Sequence, residues 1–554
     1  MTSQFAFRVL LAGLCVTQVT AVAEHHVTAS KFDPGIRSNT PEAAAAEKAA
    51  EDAWSGHLTV LAGDDLKGRK TGTPEFLRAA EYVEGLFKES GLKPAGVDGY
   101  RQPVGFHTLQ VDTQKSSLRL VDASAKATEL KVGTDAVLGA NKAGTIAVDA
   151  PLVFAGHGLV VPGVGVNDLE GLDLKGKIAV IFAGAPEPVH GPLKAYYRTA
   201  AIRWRALRAA GAIGIVTIAE PRLNQNGRSE GGQRTRPVDQ LSDPALNPLE
   251  GAQVLATVPA TNAAVWFNGS PHSYDELAAL AKAGRLLPTF TIPAHLDAST
   301  VTEETAHYEA PNLVALLPGT DRKLSREYVV LTAHLDHLGV GKPENGDEIY
   351  NGAMDNAVGI ASLIETAKAL AGVERTKRSI IFIAFAGEEE GELGSQFYAH
   401  YPTVQRSRII AELNMDMYLP LFPLRFLEVQ GLGESTLGSD ARPAAQLNDI
   451  EVQFDKQPDE NRFILSDQAS FVKYGIPALA FKFGWLPGSP EQKLFNDWIH
   501  DRYHHPSDDL KQTIDREAAV HFDQVLLTLV RRVANSASAP EWYPESFFST
   551  IPRT

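Results

Sequence analysis

Beyond residue 308, short and almost wholly apolar runs alternate with stretches of helical periodicity, and three of those runs end beside a histidine or a carboxylate. The run at 328–332 leads to His334, the run at 379–386 to Gly387-Glu388-Glu389-Glu390, and the run at 408–413 to Asn414-Met415-Asp416. A fourth run lies at 478–483. Strands that are apolar throughout, rather than at every second residue, are buried on both faces, and between helices they build a parallel sheet. The expected fold class is therefore α/β: a mainly parallel mixed sheet covered by helices on both faces, with helices at about 356–370 and 515–535. Ligands of such sheets bind outside the carboxyl ends of the strands, where these polar residues fall.

The N-terminal half reads differently. An alanine-rich helix is predicted over 41–61, and a second from Pro74 to Ser90, capped by Thr73. Between 148 and 293 short β runs at 151–154, 177–182 and 213–218 alternate with glycine-rich turns, around a helix predicted at 196–210. This is the signature of an inserted β-rich module. The organisation expected is a signal peptide at 1–23, a flexible segment at 24–40, the main domain in two parts at 41–147 and 294–540, the insert at 148–293, and a tail at 541–554.

The leader reading rests on one charge, Arg8, an apolar run at 9–16, and Ala21-Val22-Ala23, a small-x-small cleavage signature. The apolar run is shorter than the ~20 residues that a span needs. Export to the periplasm or the outside is expected, with no membrane insertion after cleavage. Cys15 is the single cysteine, so a chain cleaved after Ala23 has neither disulfides nor thiol chemistry. The net charge of −15 and the absence of basic runs argue against nucleic acid as a partner. No His-Glu-x-x-His, Gly-x-Gly-x-x-Gly or phosphate-loop motif occurs, and the one Gly-x-Ser-x-Gly match, at 227–231, lies in a polar stretch and reads as a loop.

Each acidic or histidine residue has an ordinary explanation when taken singly. Asp355 before a helix suits a cap, the glutamate triplet suits a solvated charge run, and His334 suits a satisfied core histidine. Asp336, two residues after His334, offers a carboxylate for the second ring nitrogen of a ligating histidine. His504 lies in a loop between Tyr503 and Asp508, the latter a second hydrogen-bond acceptor. Together, two histidines and three carboxylates suit two divalent ions that share one bridging ligand.

At these five segments, Ala333–His337, Gly352–Asn356, Gly387–Glu390, Asn414–Asp416 and Tyr503–Asp508, the chain resembles the M28 metallopeptidases, which include secreted bacterial aminopeptidases. The resemblance implies the zinc exopeptidase fold and two Zn²⁺ ions. His334 and Asp416 would hold one ion, Glu389 and His504 the other, and Asp355 would bridge them. Glu388 would be the general base and Tyr503 the hydroxyl that polarises the scissile carbonyl, with Asp336 and Asp508 supporting the ligands from behind. The peptide bond after the bridging aspartate is often cis in that family. Val153–Gly158 and Leu172–Lys177 resemble the protease-associated (PA) domain, which many members carry as an insert. Two departures stand out: Ser466-Asp467-Gln468 replaces the commoner Ser-Asp-His, and His505 follows His504 as a competing ligand. The activity implied is removal of N-terminal residues from peptides. A carboxypeptidase or dipeptidase would instead need a cationic pocket, for which Arg425, Arg462 and Lys482 are candidates. A glutaminyl cyclase with a single zinc and a binding module without catalysis complete the alternatives.

Overall fold

The computed structural model describes residues 41–189, 191–219, 236–460 and 462–553. The expected leader at 1–23, the segment at 24–40 and the Gly-x-Ser-x-Gly stretch lie outside the described residues. The elements that frame the site, labelled in chain order, are α1 (Pro41–Leu61), α2 (Pro74–Glu89), β1 (Arg101–Val111), β2 (Thr289–Leu317), β3 (Tyr328–His334), α3 (Val358–Gly372), β4 (Ser379–Phe385), β5 (Ile409–Asn414), β6 (Phe426–Gln430), β7 (Ala478–Phe483) and α4 (Arg516–Asn535).

Strands β4, β3, β5 and β7 lie side by side and parallel, with Tyr328 opposite Ser379 and Ile409, and Glu412 opposite Ala478. Antiparallel β2 flanks β4, and antiparallel β6 flanks β7. The apolar runs are continuous because both faces are covered, and side chains sort between the faces with period two. Val329, Leu331 and Ala333 face a large core under α1, α2, α3 and α4, whereas Val330, Ile381 and Ile383 face a second layer that includes Tyr398 and Phe471. The mixed, mainly parallel sheet with helices on both faces is the architecture expected from the runs.

Several boundaries follow local chemistry. Thr73 caps α2 by accepting the Phe76 amide, with Pro74 in the first turn. The helix expected over 196–210 is two, Gly191–Tyr197 and Ala200–Ala209, because Thr199 is extended (φ −63°, ψ 142°) and restarts the chain direction. A further core, separate from the main one, is built from Leu109 to Ala298 and includes Leu118, Leu152, Phe154, Val180, Trp266 and Phe267. β2 passes through both cores as one strand of 29 residues. Among the described residues no helix is long and apolar enough to cross a membrane.

Candidate metal centre

Because β3, β4 and β5 run parallel, their carboxyl ends open at one edge of the sheet. His334 is the last residue of β3, the glutamate triplet follows β4 after two residues, and Asp416 follows β5 after one. Asp355 arrives from the other side, at the distorted start of α3, where its own backbone (φ −118°, ψ 87°) is not helical and the Asp355–Asn356 peptide bond is cis. His504 adopts φ +60° in the loop before α4, a conformation that turns its ring back toward Asp355.

The distances divide these groups into two sets. His334 Nε2 lies 3.2 Å from Asp355 Oδ1 and 3.4 Å from Asp416 Oδ1. His504 Nε2 lies 3.3 Å from Asp355 Oδ2 and 3.1 Å from Glu389 Oε2. Zinc bonds to nitrogen and oxygen of about 2.0–2.2 Å imply tetrahedral ligand-to-ligand edges of about 3.3 Å. All four separations match that edge, and Asp355 presents a different oxygen to each set. The donor set therefore fits two divalent ions with Asp355 between them. His505 turns away, its Nδ1 on Glu344 Oε2 at 2.5 Å.

The surrounding groups hold this geometry from behind. The main-chain carbonyl of Asp336, not its carboxylate, meets His334 Nδ1, at 3.2 Å. The carboxylate instead accepts the amides of Glu388 and Glu389, at 3.2 and 3.3 Å, and so fixes the loop after β4. The expected carboxylate–imidazole contact is thus replaced, because a residue two positions on brings its carbonyl closer than its side chain. Asp508 accepts the amides of Met354 and Asp355, at 2.9 and 3.1 Å, and so carries the backbone of the bridging residue rather than the His504 ring. Gln468, at the position where the commoner motif has histidine, is buried and accepts the Asn414 amide at 2.6 Å.

Three contributors had no role at the metal site assigned from the sequence. Arg69 is completely buried and donates to the carbonyls of Leu335 (2.7 Å), Leu61 (3.0 Å), Gly352 (2.8 Å) and Asp355 (3.4 Å), and also to that of Asn351. It ties the loop after β3 to the one that carries Asp355. His337 is also fully buried and meets Glu389 Oε1 at 2.5 Å. Lys482 donates to the Asp416 carbonyl at 2.7 Å. Of the three candidates for a carboxylate pocket, Arg425 is exposed, Arg462 sits over the Phe495 ring with its Nη2 on Gln457, and Lys482 alone touches the cluster.

Carboxylates outnumber cations here, and the proton affinities follow. Burial, opposed by His334 and reinforced by Asp416 and Glu389, pushes the Glu388 carboxyl well above its usual range. Burial works against charge on His504, but its bonds to Asp355 and Glu389 raise it to about 10. Bonds from His334 and His504 hold Asp355 well below the usual range, against burial. Burial, with the fields of Asp355, Glu389 and Asp416, makes the Tyr503 phenol very hard to ionise, and its ring stacks on His504 with centroids 3.9 Å apart.

Residues 312–530 match the model of peptidase family M28. A probable leucine aminopeptidase from Trichophyton verrucosum is 26% identical over 223 residues, 38% of this chain and 54% of that protein, so the chain spans about half the length of the curated relatives it matches. Among solved structures, an aminopeptidase from Aneurinibacillus sp. strain AM-1 aligns with a TM-score of 0.49 at 20% identity, over 91% of this chain and 97% of that one. A zinc aminopeptidase from Bacillus subtilis aligns with a TM-score of 0.45 at 19% identity, over 91% and 98%.

Proposed function

We propose that the whole chain, whose residues 312–530 match the model of peptidase family M28, is an aminopeptidase that holds two zinc ions and removes N-terminal residues from peptides. The observation that carries this reading is the pair of donor sets with tetrahedral edges that share Asp355. His334 and Asp416 would hold one ion, His504 and Glu389 the other. When bound, such ions lower the pKa of a water and polarise the scissile carbonyl. Glu388, whose carboxyl is raised by burial, takes the proton of the attacking water and returns it to the leaving amine. The Tyr503 phenol stays protonated and donates to the oxygen on which negative charge develops. Asp336 and Asp508 act on backbone amides and keep Glu388 and Asp355 in place.

The excess of carboxylates suits a free α-ammonium group on the substrate. Relatives named leucine aminopeptidases make a leucyl substrate the first to try. The test combines metal analysis with hydrolysis of free-amine, N-blocked and C-blocked leucyl dipeptides. Two zinc ions per chain and cleavage of all but the N-blocked peptide are expected. Cleavage only of peptides with a free carboxylate would replace this reading by a carboxypeptidase, and a single ion would favour the cyclase chemistry. The leader sequence supports export, and N-terminal sequencing of the mature protein, expected to begin at Glu24, tests it. The β-rich module, with its Val153–Gly158 and Leu172–Lys177 segments, we read as PA-like.

A further inference from the structure

The second donor set contains one histidine too many. His337 approaches the same two carboxylates as His504, but on different terms: its Nδ1 is 2.5 Å from Glu389 Oε1 and 3.9 Å from Asp355 Oδ2. The first separation is too short, and the second too long, for ligands around one zinc ion, whose edges are about 3.3 Å. The short one is a hydrogen bond between the ring and the carboxylate. Glu389 is thereby divided, with Oε1 on His337 and Oε2 on His504, at 3.1 Å.

The ring of His337 cannot swing to a different arrangement. It is fully buried, its centroid lies 5.8 Å from that of His504, and it lies against Gly352, where an added Cβ would stand 2.4 Å from the His337 Cγ. Its Nε2 has no hydrogen-bond partner among the described residues, so the bond to Glu389 is the one hydrogen bond there that orients it, with Asp355 Oδ2 farther off at 3.9 Å.

We propose that His337 is a positioning residue that holds Glu389 as a one-oxygen ligand, leaving Oε2 alone to meet the second ion. The inference rests on the dinuclear reading above. A free carboxylate can rotate or chelate through both oxygens. One that is pinned at Oε1 keeps a fixed direction and a coordination position open for substrate.

The test is zinc titration of the full chain, stripped by chelator, in competition with a chromophoric chelator that resolves two dissociation constants. His337→Phe keeps a ring but no donor. It is expected to weaken the second ion by about 10- to 100-fold while leaving the first within about threefold, the usual cost of losing an outer partner. His504→Phe, the benchmark for a lost ligand, removes the second ion altogether. His337→Asn places an amide nitrogen where Nδ1 was and is expected to restore binding; His337→Gln reaches the Nε2 position instead and is not. Wild-type affinity in His337→Phe overturns the proposal. So does loss as complete as in His504→Phe, which would make His337 a ligand, and so does failure of His337→Asn to restore binding. Fewer than two ions in the wild type overturns the dinuclear reading and this proposal together, an outcome distinct from the others.

Discussion

At the scale of single residues, the site is a set of carboxyl groups told apart by what touches them. Asp355, bonded to His334 and His504, and Asp416, beside Lys482 and His334, sit below the usual range, whereas Glu388 is driven up by burial that His334 only partly opposes. Glu388→Gln removes the proton acceptor while keeping its shape. It is expected to leave two ions bound and to lower kcat by a factor of about 10²–10⁴, with KM little changed, as steady-state kinetics and metal analysis on one preparation would read. Asp355→Asn, by contrast, is expected to lose metal as well as turnover, since both donor sets share that residue. The candidate donors stood out in the sequence because His334, Glu389 and Asp416 follow apolar runs, and the choice of His504 over His505 came from a motif; the structure puts His504 beside Asp355 and His505 beside Glu344. Arg69 was not legible. A lone arginine between Gly68 and Gly72 looks like any loop residue, and only the folded chain brings the carbonyls of residues 335 and 351–355 around it. Nor was the part played by His337, because the sequence cannot say which oxygen of Glu389 faces which ring.

At the scale of elements, the sheet and its helices were readable because their patterns are intrinsic: apolar runs for strands, Thr73-Pro74 for the start of α2, and a buried stripe along α4. What patterns hide is a polar contact inside a helix interface. Where α1, α3 and α4 meet, Trp54 Nε1 donates to Ser362 Oγ at 3.2 Å, Ser362 Oγ lies 2.9 Å from the Tyr418 hydroxyl, and Asp523 Oδ1 lacks a partner. Burial, only partly offset by Ser362, lifts the Asp523 carboxyl to about 8. The folded state therefore keeps a proton that the unfolded chain gives up near the ordinary aspartate value of about 3.9. Stability drawn from this group is full below that value and declines as pH rises through the interval to about 8, above which the loss is complete. Asp523→Asn is neutral throughout. The melting temperature of the variant should gain on that of the wild type as pH rises from 5 to 8 and gain no more beyond 9. A difference independent of pH would show that the carboxyl is ionised in the folded protein.

At the scale of the whole molecule, the main core and the β-rich core are joined through β1 and β2 rather than by a flexible linker. β1 pairs with β2 from Arg101 opposite Leu313 to Val111 opposite Thr302, and Phe106 stacks on Tyr308 between them with centroids 5.2 Å apart. The change of composition near residue 148 falls inside the second core, which already includes Leu109, Val111, Leu118 and Leu120 and reaches on to Leu296 and Ala298. A compositional boundary marks where glycine-rich turns begin; a core is defined by which strands share a face, and β2 shares faces with both. Two excisions separate these ideas. Removing 148–293 leaves those six apolar side chains without the packing of Leu152, Phe154, Val180, Trp266 and Phe267, and exposes a contiguous apolar surface. Removing 112–301 and joining Val111 to Thr302 through Asn-Gly closes β1 and β2 as a two-residue hairpin in the register they already hold. The hairpin variant is expected to be soluble, to bind two zinc ions, and to melt within about 5 °C of the full chain, the shift reflecting loss of Leu241 from the main core and of Ala195 and Tyr196 from the cluster around Phe463 and Phe548. The shorter excision is expected to aggregate or to melt well below it. If the two behave alike in solubility and melting, the strands from 101 to 147 owe their stability to the main core alone. Metal retained by the hairpin variant would place every determinant of the ion site outside the β-rich core, and its turnover of long against short peptides would then measure what that core adds at the cleft.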